Sequence, residues 1–213
     1  MINRMKKTAH NAKVGQPKRP SHKRDWKRVV LAVVAACLFA AGAYMLITAV
    51  SPSIVIKRTE ITTVKVDKKR DQVIIPQLGI QEGVYEGGPE VLENGTWHRY
   101  PERGKPGVGN FILSGHRFVM GNTPGETLRK SPFYNLGKMK VGDPLYIDWR
   151  GRRFVYKVKK TYQVKPNEVS IEAASKQHKL TLYTCTLSGS ADGRLVIEAE
   201  LVPKPPTTSP AGV

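Results

Sequence analysis

Residues 180–201 read LTLYTCTLSGSADGRLVIEAEL, and this stretch decides the fold that we predict. Its two ends, residues 180–185 and 194–201, alternate in the way expected of β-strands with one buried face. The residues between them are rich in Ser and Gly and end in Asp192-Gly193, a turn signal. If the two strands pair as a hairpin, Cys185 ends one strand at the edge where Arg194 begins the other.

Short runs of the same kind recur upstream, separated by Gly and Pro turns such as Thr123-Pro124-Gly125. The predicted strands are residues 73–75, 109–113, 144–149 and 153–158. Only two brief segments, residues 132–136 and 169–175, favour a helix. Many short strands with few helices predict an all-β barrel or sandwich with one or two helical turns.

The charge of the chain is concentrated at its N-terminus. The 213 residues carry a net charge of +18, and residues 1–28 hold ten Lys or Arg and one acid, which is half of that excess. Residues 29–50 follow without a charge, long enough as a helix to cross a hydrocarbon layer of roughly 30 Å. Basic flanks stay on the cytoplasmic side, so the remainder of the chain would lie outside the cell membrane.

These features divide the chain into five predicted parts: a basic cytoplasmic tail (1–28), a transmembrane anchor in contact with lipid (29–50), an extracellular stalk (51–71), a compact catalytic domain (72–202) and a disordered Pro-rich tail (203–213). A cleaved signal peptide is the rival interpretation, because Ala41-Gly42-Ala43 resembles a cleavage site. The apolar run continues past that site, which favours the anchor. A nucleic-acid-binding tail explains the charge but not the adjoining apolar span, so we expect no nucleic-acid partner.

The chain has two cysteines, Cys37 inside the predicted span and Cys185 far downstream. A residue in the bilayer cannot pair with one in an external domain, so Cys185 is predicted to be a free thiol. It is either a small buried hydrophobe or a reactive group. A neighbouring Arg194 favours the nucleophilic thiolate, and its guanidinium can hold a carbonyl oxygen that gains charge; otherwise it is an ordinary solvated strand residue.

Three histidines lie outside the predicted cytoplasmic tail and are candidates for an acid/base group. His116 follows the strand 109–113 on a small-residue turn, a common place for functional side chains, and is our choice. His98 lies in an irregular stretch and is a minor candidate. His178 precedes Cys185 by seven residues on the same strand, roughly 20 Å away. The spacing of these residues does not resemble a zinc site, and we predict no metal and no cofactor.

At this point the sequence resembles a known family. Thr181-Leu182-Tyr183-Thr184-Cys185 is similar to the sortase signature Thr-Leu-x-Thr-Cys, which a short loop and an arginine follow. Residues 106–117, PGVGNFILSGHR, resemble the Pro-Gly-x-x-Gly-Asn and Gly-His segments of that family. Residues 75–80, 133–136 and 141–143 match further segments in family order, so the resemblance covers residues 72–202.

The resemblance implies an eight-stranded β-barrel and a cysteine transpeptidase. Sortases bind a sorting signal of the Leu-Pro-x-Thr-Gly or Leu-Ala-x-Thr-Gly kind on secreted proteins, cleave after Thr to form a thioester, and transfer the acyl group to an amine of peptidoglycan precursor or of a pilin. By resemblance Cys185 is the nucleophile, His116 the general acid and then base, and Arg194 the group that holds the carbonyl. Thr184 and Asn110 would help to position the substrate.

The nine-residue spacing from Cys185 to Arg194 and the single anchor look more like sortases of class E, or next class D, than like classes A, B or C. Two other functions remain open. One is a pilin-polymerising sortase, and the other is a non-catalytic basic module that binds anionic wall polymer. An L,D-transpeptidase also acts on the wall with a thiol, but the chain lacks its Ser-x-Gly-Cys pattern.

Overall fold

The computed structural model describes residues 23–54 and 65–203. Most of the basic tail, the middle of the predicted stalk and nearly all of the Pro-rich tail therefore lie outside the described residues. The chain divides into two compact units, Met1–Ala43 and Tyr44–Val213. Helix α1, Lys23–Ile54, provides all of the described residues of the first unit and begins the second.

Helix α1 contains the predicted anchor and extends beyond it. Within it, Trp26–Ile54 is long and apolar enough to cross a membrane, as judged by length and composition. At 1.5 Å per residue these 29 residues span about 43 Å, more than a hydrocarbon core requires. The helix ends at Ile54, four residues after the predicted end of the span, with Pro52 in its last turn.

The second unit is built mainly from β-strands. Among the described residues these are β1 (Gln72–Ile75), β2 (Ile80–Tyr85), β3 (Thr96–Arg99), β4 (Gly104–Lys105), β5 (Val108–Ser114), β6 (Pro144–Trp149), β7 (Arg152–Val164), β8 (Lys179–Thr186) and β9 (Gly189–Leu201). A short helix α2 spans Pro124–Lys130, and single 3₁₀ segments span Pro76–Leu78, Pro89–Glu93, Leu136–Lys138 and Val169–Glu172.

Eight of these strands close into a barrel. They are hydrogen-bonded in the order β3-β2-β1-β6-β7-β9-β8-β5, and the additional pairing of β3 with β5 closes the ring. The two-residue β4 pairs with the first two residues of β5, Val108 and Gly109. Most neighbours are antiparallel, whereas β2 with β3 and β5 with β8 are parallel. The eight-stranded all-β barrel that the resemblance implies is therefore confirmed.

The barrel wall has an apolar inner face and a smaller apolar cluster outside it. The inner core includes Leu180 and Leu182 of β8 together with residues from β1, β5, β6, β7 and β9. A second cluster on the other face of the wall joins Tyr183 to Ile112, Val196 and Ile171. Successive residues of β8 thus alternate between the two clusters, as the period of a strand requires.

Three details of the predicted secondary structure are wrong. Residues 132–136 form turns rather than a helix, and the helix lies earlier, over the residues predicted as a Thr-Pro-Gly turn. The reason is capping: the Thr123 side chain accepts the N–H of Glu126 at 3.1 Å, and Pro124 occupies the first helical turn. Strands β2 and β3 were not predicted, because neither shows the alternation of a half-buried strand over more than four residues.

Candidate active site

The hairpin of β8 and β9 brings two predicted site residues together. The strands are antiparallel, and Cys185 lies directly opposite Arg194 in their register. Residues directly opposite each other in an antiparallel pair project on the same side of the sheet. Both side chains are half-buried at the end of the barrel, beside the turn that joins the strands. The predicted placement of the thiol and the guanidinium on one edge is confirmed.

His116 lies on the other side of Cys185. Strand β5 runs parallel to β8, and the last paired residues are Ser114 and Tyr183. Two residues further along each chain are His116 and Cys185, so this register brings them level. Neighbouring strands are roughly 5 Å apart, and Cys185 is therefore flanked by Arg194 on one strand and by His116 at the end of the other.

The backbone that carries His116 is held in place by β8. The N–H of Gly115 donates to the carbonyl of Tyr183 at 3.3 Å, and the Thr184 hydroxyl donates to the carbonyl of Gly115 at 2.7 Å. Gly115 also lies against the buried ring of Phe133, where an added Cβ would be 2.7 Å from a ring carbon. A residue with a side chain does not fit there, which explains the glycine before His116.

The His116 ring has a carboxylate neighbour that the sequence analysis did not identify. Its Nε2 lies 3.5 Å from Oε1 of Glu93, at the end of the 3₁₀ segment before β3. Lys130 of α2 lies 3.8 Å from the same carboxylate and 3.2 Å from Glu126. Glu93 is 23 residues away from His116, and no pattern in the sequence links the two.

The Arg194 side chain is held by the turn between β8 and β9. Its Nη1 donates to the carbonyls of Ser190, at 2.6 Å, and of Gly193, at 3.0 Å. Within the part of the chain that the structure describes, the other two guanidinium nitrogens have no protein acceptor. The guanidinium is thus anchored by one nitrogen, and the rest of its fork can bind an oxygen of a ligand.

A buried polar cluster lies on the same outer face, next to Cys185 along β8. The Tyr183 hydroxyl donates to Oε1 of Glu172 at 2.5 Å, and Arg99 lies 2.6 Å from the same oxygen and also donates to the Tyr183 hydroxyl. Burial, with the Glu172 bond, raises the pKa of the Tyr183 hydroxyl far above its usual value. Sequence reasoning missed this cluster because Arg99 is 84 residues from Tyr183 and no local pattern links Tyr183 to Glu172.

Thr184 and Asn110 are buried and make protein contacts. The Thr184 hydroxyl already donates to the carbonyl of Gly115, as described above, and Asn110 is fully buried. The Asn110 amide donates to the carbonyl of Ala173 at 2.9 Å and accepts from the Thr181 hydroxyl at 2.7 Å, which ties the 169–172 segment to β8. Their predicted part in positioning substrate would therefore act through the backbone that they hold.

The two other histidine candidates are placed away from Cys185. His98 was predicted in an irregular stretch, but it lies in β3 with 1% of its surface exposed. Its ring nitrogens pair with Glu86 at 3.1 Å and the carbonyl of Gly104 at 3.0 Å, so it is a satisfied core residue. His178 is exposed and immediately precedes β8, at the opposite end of the strand from Cys185.

Comparison with known proteins agrees with this geometry. A family model described as Sortase domain matches residues 73–202. Sortase SrtE1 of Streptomyces coelicolor is 31% identical over 149 residues, which are 62% of this chain and 40% of that protein, so the chain spans less than half the length of this curated relative. 

Solved structures show the same fold. A Sortase D5 transpeptidase of Clostridium perfringens shares 26% identity at a TM-score of 0.52, covering 63% of this chain and 79% of that one. Sortase C-1 of Actinomyces oris shares 27% identity at a TM-score of 0.53, covering 63% and 73%. The family model covers more than half of the chain, and the chain therefore belongs to the sortase family.

Proposed function

We propose that this protein is a membrane-anchored cysteine transpeptidase that cleaves a sorting signal of the Leu-Pro-x-Thr-Gly or Leu-Ala-x-Thr-Gly kind. The observation that carries the proposal is the three-strand arrangement in which Cys185 lies opposite Arg194 and level with His116. A nucleophile, a proton-transfer group and a cation at one strand end are the parts that acyl transfer requires.

In the first half-reaction the Cys185 thiolate attacks the carbonyl carbon of the Thr residue in the signal. The free nitrogens of Arg194 stabilise the oxyanion that forms. His116 gives its proton to the leaving amine of Gly, the C–N bond breaks, and a thioester remains on Cys185.

In the second half-reaction an acceptor amine attacks the thioester. His116, now neutral, takes a proton from that amine, a new amide bond forms, and the Cys185 thiolate leaves. The Glu93 carboxylate lies 3.5 Å from Nε2 of the His116 ring, where it can help to hold the orientation of the ring during both proton transfers. We assign the acceptor to peptidoglycan precursor or a pilin, in keeping with the family.

The proposed location is a bacterial cell membrane, with the N-terminus in the cytoplasm and the barrel outside. Its support is the apolar helix Trp26–Ile54 and the basic residues that precede it. Within the family we favour class E, because of the likeness to Sortase SrtE1 and the short interval between Cys185 and Arg194.

The test uses the full-length protein in phospholipid nanodiscs with Leu-Pro-Ala-Thr-Gly and Leu-Ala-Ala-Thr-Gly peptides, and mass spectrometry of the intact protein. We expect an acyl adduct on Cys185 that Cys185→Ala abolishes and Cys37→Ala leaves intact. His116→Ala should slow its formation at least about 100-fold, whereas the matched His178→Ala should not. A folded protein that forms no adduct with either peptide would instead support the non-catalytic wall-binding module.

A further inference from the structure

The chain between His116 and α2 carries large apolar side chains that the barrel does not bury. We call residues 118–122 the post-histidine loop. Phe118 is 41% exposed and Met120 is 49% exposed, although only one residue separates them. A single exposed apolar side chain is ordinary, but neighbouring ones mark a surface that contacts another molecule or a membrane. The proposed reaction uses neither of these two side chains.

The backbone of the post-histidine loop is tied to the elements that follow it. The N–H of Val119 donates to the Ser131 hydroxyl at 3.0 Å. The N–H of Gly121 donates to the hydroxyl of Thr127, a buried residue of α2, at 2.9 Å. The apolar side chains are therefore presented by a backbone that is fixed to the barrel unit.

The end of the post-histidine loop contacts helix α1. The Tyr44 hydroxyl donates to the carbonyl of Asn122 at 2.9 Å, and the Ser51 hydroxyl lies 3.3 Å from the carbonyl of Pro124. Thr48 and Ser51 are 1% and 6% exposed, so this side of the helix end is buried. All of these residues belong to the second compact unit. The helix end and the loop thus form one packed contact.

The contact with Tyr44 indicates the level of the loop relative to a membrane. Tyr44 belongs to the uncharged run 29–50, and the run continues for six residues beyond it, about 9 Å along a helix. Met45, Leu46 and Ile47 are each more than 60% exposed, as lipid-facing side chains are. Tyrosine is enriched where acyl chains meet headgroups. A loop bonded to Tyr44 lies at that boundary.

We propose that the post-histidine loop inserts Phe118 and Met120 into the membrane leaflet on the side of the barrel, where headgroups meet acyl chains. The occupant of this apolar surface is thus phospholipid. The inference rests on the membrane anchoring in the proposed function and gives the anchor a second contact with lipid. Phe118 follows His116 by two residues, at most about 7 Å of chain, so the loop holds the active-site edge at the lipid surface.

The depth of the loop is measured by electron paramagnetic resonance of full-length protein in phosphatidylcholine vesicles. A nitroxide label is placed on Met120→Cys in a chain that also carries Cys37→Ala and Cys185→Ala. Its collisions with oxygen, which concentrates in acyl chains, are compared with those with a nickel complex that stays in water. The aqueous control is a label on His178→Cys, exposed at the opposite end of β8 from the site.

We expect the oxygen-to-nickel ratio on Met120→Cys to be at least about threefold that on His178→Cys. Equal ratios at the two positions would place the loop in water and overturn the proposal. Dipolar broadening between labels on Met120→Cys would show a second copy of the chain on this surface, and that result also overturns it.

A second measurement tests whether the apolar side chain itself holds the loop in lipid. The label is moved to Asn122→Cys, and Met120→Glu is added to the same chain. A carboxylate disfavours burial at the lipid boundary, so the oxygen-to-nickel ratio should fall at least about twofold. Val141→Glu, at another exposed apolar residue, is the matched control and should leave the ratio unchanged. An unchanged ratio in Met120→Glu, or an equal fall in both variants, contradicts the proposal.

These measurements separate the failure of this proposal from that of the proposed function. A label on the native Cys37, in a chain with Cys185→Ala, reports on the anchor alone. If Cys37 is in lipid and the loop is in water, the anchor stands and loop insertion is rejected. If Cys37 is also in water, the anchor is rejected as well. None of the labelled chains contains Cys185, so these results do not depend on the reaction, which the acyl adduct tests. Circular dichroism checks that each variant has the Tm of the unlabelled protein, as expected for substitutions of exposed residues.

Discussion

Strand β8 has two faces that differ in chemistry. Its inner residues, Leu180 and Leu182, are fully buried in the barrel core. Its outer residues, Tyr183 and Cys185, lie beside charged groups from other elements, Glu172 of a 3₁₀ segment and Arg194 of β9. One strand thus contributes to folding with one face and to the proposed chemistry with the other, and substitutions on the two faces should affect different measurements.

The largest stability effect is expected on the inner face. Leu182→Ala leaves a cavity in a fully packed core and should lower the free energy of unfolding by about 2 to 5 kcal/mol. Urea unfolding followed by circular dichroism measures this change. The acylation rate per folded molecule should be close to that of the wild type. A large loss of that rate would contradict the view that the inner face serves folding and the outer face serves the chemistry.

On the outer face, Arg194→Gln should reduce the acylation rate by about 10²- to 10³-fold, the usual effect of losing one oxyanion donor. Among the described residues the half-buried side chain bonds only to turn carbonyls, so the free energy of unfolding should change little. Stopped-flow acylation and urea unfolding of the same sample give both values. Arg194→Lys is the matched variant, in which the charge remains but the fork is lost. Equal loss of stability and rate would indicate a structural arginine.

Thr184 is a residue at which a substitution should change both the stability and the reaction rate. Its side chain lies on the inner side, but its hydroxyl holds the carbonyl of Gly115, the residue before His116. Thr184→Val should lower the free energy of unfolding by about 1 kcal/mol and also slow acylation, because His116 loses its backbone anchor. Thr161→Val on β7, away from this anchor, serves as the control. Stability loss without a slower reaction would show that the anchor is unnecessary.

The smallest effect concerns a carboxylate far from the site. Burial raises the pKa of Glu82 above 4.5, opposed by Arg70. The folded state therefore holds this proton more tightly, and the stability that it contributes is lost as pH rises through the raised pKa. Glu82→Gln should raise the free energy of unfolding by up to about 0.5 kcal/mol at pH 7.5, and the gain should vanish near pH 4. A gain that is the same at both pH values would contradict burial as the cause.

Much of the fold and part of the site were predictable from local patterns. The uncharged run, the alternation in β8 and β9, and the lone downstream cysteine are each visible within about 20 residues. Helix α2 was missed because its first residues carry a Thr-Pro-Gly turn signal, whereas the capping hydrogen bond of the Thr123 side chain starts a helix there. Strand β3 was missed because four residues are too few to show a clear alternation, and they gain their order from pairing with β2 and β5.

By itself, the sequence determined the membrane-length helix, the β-hairpin and the identity of Cys185, His116 and Arg194 as candidates, because periodicity and residue type are local properties. Only the tertiary structure decided that His98 is a satisfied core residue and that Glu93 lies beside His116. These facts depend on the register with which strands close the barrel, and register is set by the burial of a whole face rather than by any one segment.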